Sequence, residues 1–242
     1  TKLSHYHFVS NKVYKKRVIQ MGEHPSRVFT VGGLGVDCIK NEKLAKKIEI
    51  EKRLKINFSK KNILVTFHPL TLENNTSKIY FSEILKSLSK LKDTNFFFTY
   101  PNADADGRII IKMINHYFKK NKNVYRYKSL GQKYYYSLLN YVDLVLGNSS
   151  SGLLEVPTFK IPTVNIGDRQ TNRLKAISVI DCKPNNIDIS KAILKAYSKK
   201  FQKKISEIKN PYGNGGASKK IISILKKNKF SFKLKKKFYD IY

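Results

Sequence analysis

The chain has 242 residues and carries 48 Lys+Arg against 17 Asp+Glu, a formal net charge of +31. That length buries a substantial core without covalent staples, and two isolated cysteines, Cys38 and Cys182, exclude a disulfide scaffold or a Cys-based metal finger. There is no apolar run long enough for a bilayer and no signal-peptide pattern, so a cytoplasmic, reducing setting with no membrane partner is expected.

The charge admits a polyanion partner, but its distribution argues against one. Lysines recur on every predicted helix beside Asn, Ile, Tyr and Phe, as in proteins from AT-rich genomes. The denser runs are Lys15-Lys16-Arg17, Lys226-Lys227-Asn228-Lys229 and residues 233–237. No nucleic-acid motif accompanies them, so a compositional bias is preferred and no nucleic-acid partner is expected. The chain opens Thr1-Lys2-Leu3-Ser4-His5 without an initiator Met, which reads as a portion of a longer protein.

In chain order, residues 5–10 read as a strand and 12–21 as a helix, stopped by Gly22-Glu23-His24-Pro25. Residues 27–31 form a second strand running into Gly32-Gly33-Leu34-Gly35, a plausible hinge. Residues 41–54 read as a charged helix. Asn62 to Phe67 form an apolar strand of the kind buried in a parallel sheet, ending in His68-Pro69. Residues 77–91 read as an amphipathic helix burying Ile79, Phe81, Ile84, Leu85, Leu88 and Leu91. Then come a strand over 95–100, the loop 101–107 with Asn102, Asp104 and Asp106, a helix over 108–119 and a strand over 124–127. A helix over 132–140 carries Tyr134, Tyr135 and Tyr136.

Residues 142–146 are the strand of the most informative stretch, Leu144-Val145-Leu146-Gly147-Asn148-Ser149-Ser150-Ser151-Gly152-Leu153-Leu154-Glu155. Gly147 and Asn148 permit a sharp turn, and Ser149 and Ser150 fall where a helix start leaves N–H donors for an anion. Glu155 is expected about one and a half turns into that helix. The same pattern also fits a plain serine cap on a crossover helix. A strand over 162–166, the loop Gly167-Asp168-Arg169-Gln170, a strand over 178–182, and helices over 187–199 and 217–226 complete the chain. The tail from residue 230 to 242 is basic and aromatic, with little that demands order.

Alternating strands and helices predict an α/β fold with a parallel sheet. Ligands then bind beyond the strands' C-terminal ends, where His68, Asn102 with Asp104, Ser149-Ser150 and Arg169 lie. These types suit a nucleotide: N–H donors and hydroxyls for phosphate, Arg169 for a second phosphate charge, Glu155 for ribose hydroxyls and one of the tyrosines against a base. Bland roles exist for each: His68 as a strand-end histidine, the aspartates as Asx-turn formers, the tyrosines as sheet cover, Arg169 paired with Asp168 or Asp181. No Walker A, Rossmann glycine fingerprint or Ser-His-Asp pattern occurs, and no metal or cofactor is implied.

Taken in order, TKLSHYHFVS…VIQMGE…VFTVGGLGVD, VTFHP, TYPNADADG, GNSSSGLLE, VNIGDRQ and YGNGGASKK resemble the hydrolysing UDP-N-acetylglucosamine 2-epimerases of the sialic and legionaminic acid type, to about Lys220. The resemblance implies a glycosyltransferase-B-like fold of two Rossmann-like domains. Residues 1–37 would end the N-terminal domain, 38–218 form the UDP-binding C-terminal domain, and 219–242 supply a helix that crosses back, then a tail.

The resemblance also implies roles. Ser149 and Ser150 would hold the diphosphate, Glu155 the ribose and Tyr135 the uracil. His68 and Arg169 would lie beside the diphosphate and sugar as the catalytic pair. The family's proton-transfer carboxylates belong to its N-terminal domain, so the chain alone is expected to bind UDP weakly and not to turn over. UDP-N-acetylglucosamine and its diacetylbacillosamine analogue both suit the family, and a homo-oligomer is expected at full length. A UDP-sugar glycosyltransferase of the same fold and a basic nucleic-acid-binding protein are the alternatives.

Overall fold

A computed structural model describes residues 1–70, 76–102, 106–227 and 235–241. The chain divides into two compact units, residues 1–42 with 209–242, and residues 43–208. The expected boundaries fell after residues 37 and 218; the division falls after 42 and 208.

The larger unit is built on one sheet. Its strands are β3 (Lys61–Thr66), β4 (Thr94–Thr99), β5 (Val124–Tyr127), β6 (Leu144–Gly147), β7 (Thr163–Ile166) and β8 (Val179–Cys182). All pair in parallel, in the order β5-β4-β3-β6-β7-β8. Counted from β3 this is the strand order of a dinucleotide-binding Rossmann sheet, and the direction of winding reverses between β3 and β6.

The apolar centres of β3, β4 and β6 follow from burial on both faces. Ile63, Val65, Phe96, Phe98, Leu144, Leu146, Val164 and Ile166 share one core cluster. It is covered by α4 (Thr76–Leu88), α5 (Gly107–Lys120) and α8 (Asn186–Tyr197) through Phe81, Ile84, Ile110, Ile114 and Ile193. The alternate residue Phe97 faces the other way, with Tyr125 stacked on it at 5.3 Å and Phe58 at 5.9 Å. The unit also contains α3 (Lys47–Leu54), α6 (Gly131–Leu139), the single turn α7 (Ser151–Leu154) and α9 (Lys199–Ile205).

In the smaller unit, β1 (His7–Val9), α1 (Lys12–Gln20) and β2 (Val28–Thr30) form a right-sized βαβ unit, with β1 and β2 parallel. The glycine-rich segment does not stay open: Gly33 caps α2 (Leu34–Asn41). Helix α10 (Ala217–Lys227) packs on α2, because the buried Asp37 carboxylate accepts from Gly216 N–H at 2.5 Å, from Ser218 N–H at 2.9 Å and from the Ser218 hydroxyl.

Several boundaries differ from expectation for local reasons. The helix expected over 41–54 is shortened to α3 at Lys47–Leu54, and α2, at Leu34–Asn41, forms where a hinge was expected, five residues from Glu42 to Lys46 lying between them. Ile79, expected to be buried, is 62% exposed, since α4 turns Ser77, Phe81 and Ile84 inward instead. Helix α9 was not anticipated; Ser198 restarts the chain after α8 by accepting from Phe201 N–H. The described part of the tail is also held. Glu23 is fully buried, and Lys236 and His7 meet its carboxylate at 2.5 and 2.9 Å. Burial pushes that carboxyl up, but the hydrogen bonds from Lys236 and His7 outweigh it and hold it below the usual range.

Candidate functional site

The site begins with the close approach of β3 and β6. Gly147 pairs with Thr66 at φ +138°, and a Cβ there would lie 1.9 Å from the Thr66 carbonyl oxygen. Only glycine admits this contact, and it brings the two strand ends together where the sheet reverses its winding.

Asn148 follows, 1% exposed. Its Oδ1 accepts from His68 N–H at 2.7 Å and its Nδ2 donates to His68 O at 2.8 Å. One side chain thus extends the β3–β6 pairing beyond the sheet. His68 is itself buried, and its Nδ1 accepts from Asn102 N–H at 3.2 Å. A neutral imidazole there carries its proton on Nε2. The fixed ring is therefore a product of three loops, those following β3, β4 and β6.

The turn after Asn148 is tight. Ser150 has helical backbone angles, and α7 ends after four residues at Leu154. Gly152 is required because a Cβ would meet Thr163 Cγ2 at 2.6 Å. Glu155 is therefore the residue that closes α7, not one deeper in a longer helix; Pro157 in the following 3-10 turn stops continuation. Among the described residues no acceptor meets the main-chain N–H groups of Ser149 and Ser150.

A cavity of about 520 Å³ opens beside this turn. Its lining includes His68, Tyr135, Tyr136, Ser149, Ser151 and Glu155. Tyr135 donates or accepts at 2.6 Å with the Ser151 hydroxyl, and Tyr136 OH donates to Glu155 Oε1 at 3.1 Å. Burial, with the Glu155 charge nearby, pushes the Tyr135 phenol up, so it stays protonated. Of the sequence candidates, the structure brings His68, Asn102, Tyr135, Tyr136, Ser149 and Glu155 to one cavity. Tyr134 instead stands near the Arg53 guanidinium, 5.7 Å from its ring. Ser150 and Arg169 are not among the lining residues. Asp104 lies outside the described residues.

Arg169 does not pair with Asp168 or Asp181. Its Nη1 donates to the Asn148 carbonyl at 3.2 Å, while Asp181 is taken by Lys175 at 2.8 Å. Tyr136, one of the three tyrosines offered against a base, instead meets Glu155. Ser151 and Gln170 were not singled out from the sequence. Gln170 shows its role only through contact with Asn148.

The family profile described as UDP-N-acetylglucosamine 2-epimerase matches residues 1–226. The chain belongs to this family. It is 40% identical over 203 residues to the GDP/UDP-N,N'-diacetylbacillosamine 2-epimerase (hydrolyzing) of Campylobacter jejuni, covering 84% of this chain and 52% of that one. It is 37% identical over 244 residues to polysialic acid biosynthesis protein P7 of Escherichia coli, covering 100% and 62%. The chain thus spans between about half and three-fifths of the length of these relatives. The Methanocaldococcus jannaschii UDP-GlcNAc 2-epimerase, solved in complex with UDP-GlcNAc and UDP, superposes with a TM-score of 0.71 at 22% identity, covering 93% of this chain and 62% of that one. That likeness shows the fold: α/β, Rossmann-like and of the glycosyltransferase-B type, as expected from the sequence. Among the described residues no helix is long and apolar enough to cross a membrane.

Proposed function

We propose that the protein is a hydrolysing UDP-sugar 2-epimerase and that this chain supplies the side of the site that holds UDP. The observation that carries the proposal is the cavity at the β3–β6 reversal, where Ser149, Tyr135, Glu155 and His68 converge in a chain of this family. Ser149 and Ser150 hold the diphosphate through N–H and hydroxyl donors. Glu155 accepts from the ribose hydroxyls, oriented by Tyr136. Tyr135 lies against the uracil.

The reaction has two stages. A base removes the proton on carbon 2 of the sugar, the electron pair forms the carbon 1–carbon 2 double bond, and UDP leaves from carbon 1. Water then adds across the glycal to give the free 2-epimer. Charge grows on the departing diphosphate, so donors aimed at it act in the transition state. His68, with a proton on Nε2, and the Arg169 guanidinium take that role. The resemblance assigns the proton-transfer carboxylates to the N-terminal domain.

The relatives' names favour UDP-N,N'-diacetylbacillosamine, with UDP-N-acetylglucosamine next. The product would then feed legionaminic or sialic acid synthesis, in a cytoplasmic and homo-oligomeric enzyme. Calorimetry with this chain tests the reading: UDP binds, and both Arg169→Ala and Ser150→Ala weaken it. Unchanged affinity in both variants would refute the assignment. In an active full-length form, free UDP and free sugar must appear without any acceptor; a requirement for an acceptor would make it a glycosyltransferase.

A further inference from the structure

Gln170 is 1% exposed and does not line the cavity, yet it touches the phosphate turn. Its Nε2 donates to the Asn148 carbonyl oxygen at 2.7 Å, and Arg169 Nη1 donates to the same oxygen at 3.2 Å. Both lone pairs of that carbonyl are thereby used. The other end of the Gln170 amide is poorly served. Its Oε1 is buried and has no partner among the described residues. A buried acceptor left unpaired costs stability, so an apolar side chain of the same length would make a more stable fold. The amide is explained by what it does to Asn148.

The Asn148 carbonyl shares a planar trans peptide with the Ser149 N–H, and the two point in opposite directions. Holding the oxygen inward against Gln170 and Arg169 therefore turns the Ser149 N–H outward. That N–H meets no acceptor among the described residues. Asn148 is clamped from its other end as well, through its side-chain bonds to His68.

We propose that Gln170 is a positioning residue that fixes the 148–149 peptide so that Ser149 N–H is presented to a phosphoryl oxygen of a nucleoside diphosphate. The proposal rests on the UDP-binding reading above and deepens it: recognition of the diphosphate is set from the loop after β7, by a side chain that never meets the ligand. Without the Gln170 donor the peptide is held by Arg169 alone, an exposed side chain at a longer distance.

Gln170→Met keeps the length and removes the donor. With this chain, its affinity for UDP falls about five- to tenfold, the effect of one misdirected hydrogen bond. Affinity for uridine, which lacks phosphate, stays the same, and the thermal midpoint holds or rises because the unpaired Oε1 is gone. In the ligand-free chain the Ser149 amide nitrogen signal shifts. Equal UDP affinity in wild type and variant overturns the proposal. So does a parallel loss of UDP and uridine binding with a lowered midpoint, which would make Gln170 a scaffold residue only. If the wild type fails to bind UDP, the function proposed above falls. The ligand-free Ser149 signal still decides the role of Gln170, and an unmoved signal in Gln170→Met overturns it.

Discussion

Replacing Asn148 separates the strand ends that the site is built on. In Asn148→Ala the His68 N–H and C=O, now bonded at 2.7 and 2.8 Å, both lose their partner in a region where Asn148 is 1% exposed and His68 8%. Each buried main-chain group left unpaired costs about 1–3 kcal/mol, so the variant should lose roughly 3–4 kcal/mol once partial water entry is allowed. For a domain of this size that is a fall in thermal midpoint of roughly 10 °C. Asn148→Asp is the sharper probe. One carboxylate oxygen still accepts from His68 N–H, but the other now faces the His68 carbonyl oxygen where the amide had donated. At neutral pH it should be at least as destabilised as the alanine variant. The folded-state pKa of this introduced carboxyl is raised above its unfolded value, because only the protonated form can donate. The deficit is therefore largest at neutral pH and shrinks as pH falls through the raised value. Urea unfolding followed by circular dichroism from pH 7 to 5 measures both. If both variants stay within about 1 kcal/mol of wild type, the Asn148 clamp contributes little and the argument fails.

Three further outcomes are expected. Gly147→Ala places a methyl 1.9 Å from the Thr66 carbonyl at a positive φ, so strain alone should cost about 1–3 kcal/mol and the clash more; wild-type-like unfolding would contradict the β3–β6 contact. Tyr136→Phe removes the donor to Glu155 Oε1, and UDP affinity should fall about fivefold, read by calorimetry, with the fold retained. The Asp37 carboxyl is held below its usual range by the Ser218 hydroxyl and N–H, then by Gly216 N–H. Its folded pKa is depressed, so its contribution to docking α10 is present above the ordinary aspartate range and is lost as pH falls through the depressed value. The protection of α10 amides, taken relative to their intrinsic exchange rates, should fall on acidification in wild type but not in Asp37→Asn, and equal pH profiles would refute the cap.

The architecture was legible because the centres of β3, β4 and β6 (residues 63–65, 96–98 and 144–146) are unbroken apolar runs, a pattern that two-sided burial explains, and because helical segments separate them. The tight turn was legible from Gly147 to Ser150, since a glycine at the end of a buried strand followed by small polar residues marks one. Helix length was harder to read. Leu153-Leu154-Glu155-Val156 carries no stop signal of its own, and Pro157 acts two residues later, so Glu155 looked internal. Ile79 was misread because the face of α4 is set by what covers it, not by its apolar period alone.

The contacts that make the site a unit were the least legible of all. Asn148 reaches across 80 residues to His68, and Gln170 reaches back 22 to Asn148. An asparagine in a turn and a glutamine in a loop are ordinary surface residues in a sequence; both are buried here only because the sheet order places β6 between β3 and β7. That order follows from the reversal in winding, which no local pattern encodes. The residues proposed to meet UDP can thus be named from their chemistry, whereas the residues that aim them become visible only once the strands have been placed side by side. This also predicts where substitutions that barely change size should do most harm. Asn148→Asp and Gln170→Glu keep the size but lose the N–H donors, so each sets a carboxylate oxygen against a carbonyl that the amide had satisfied.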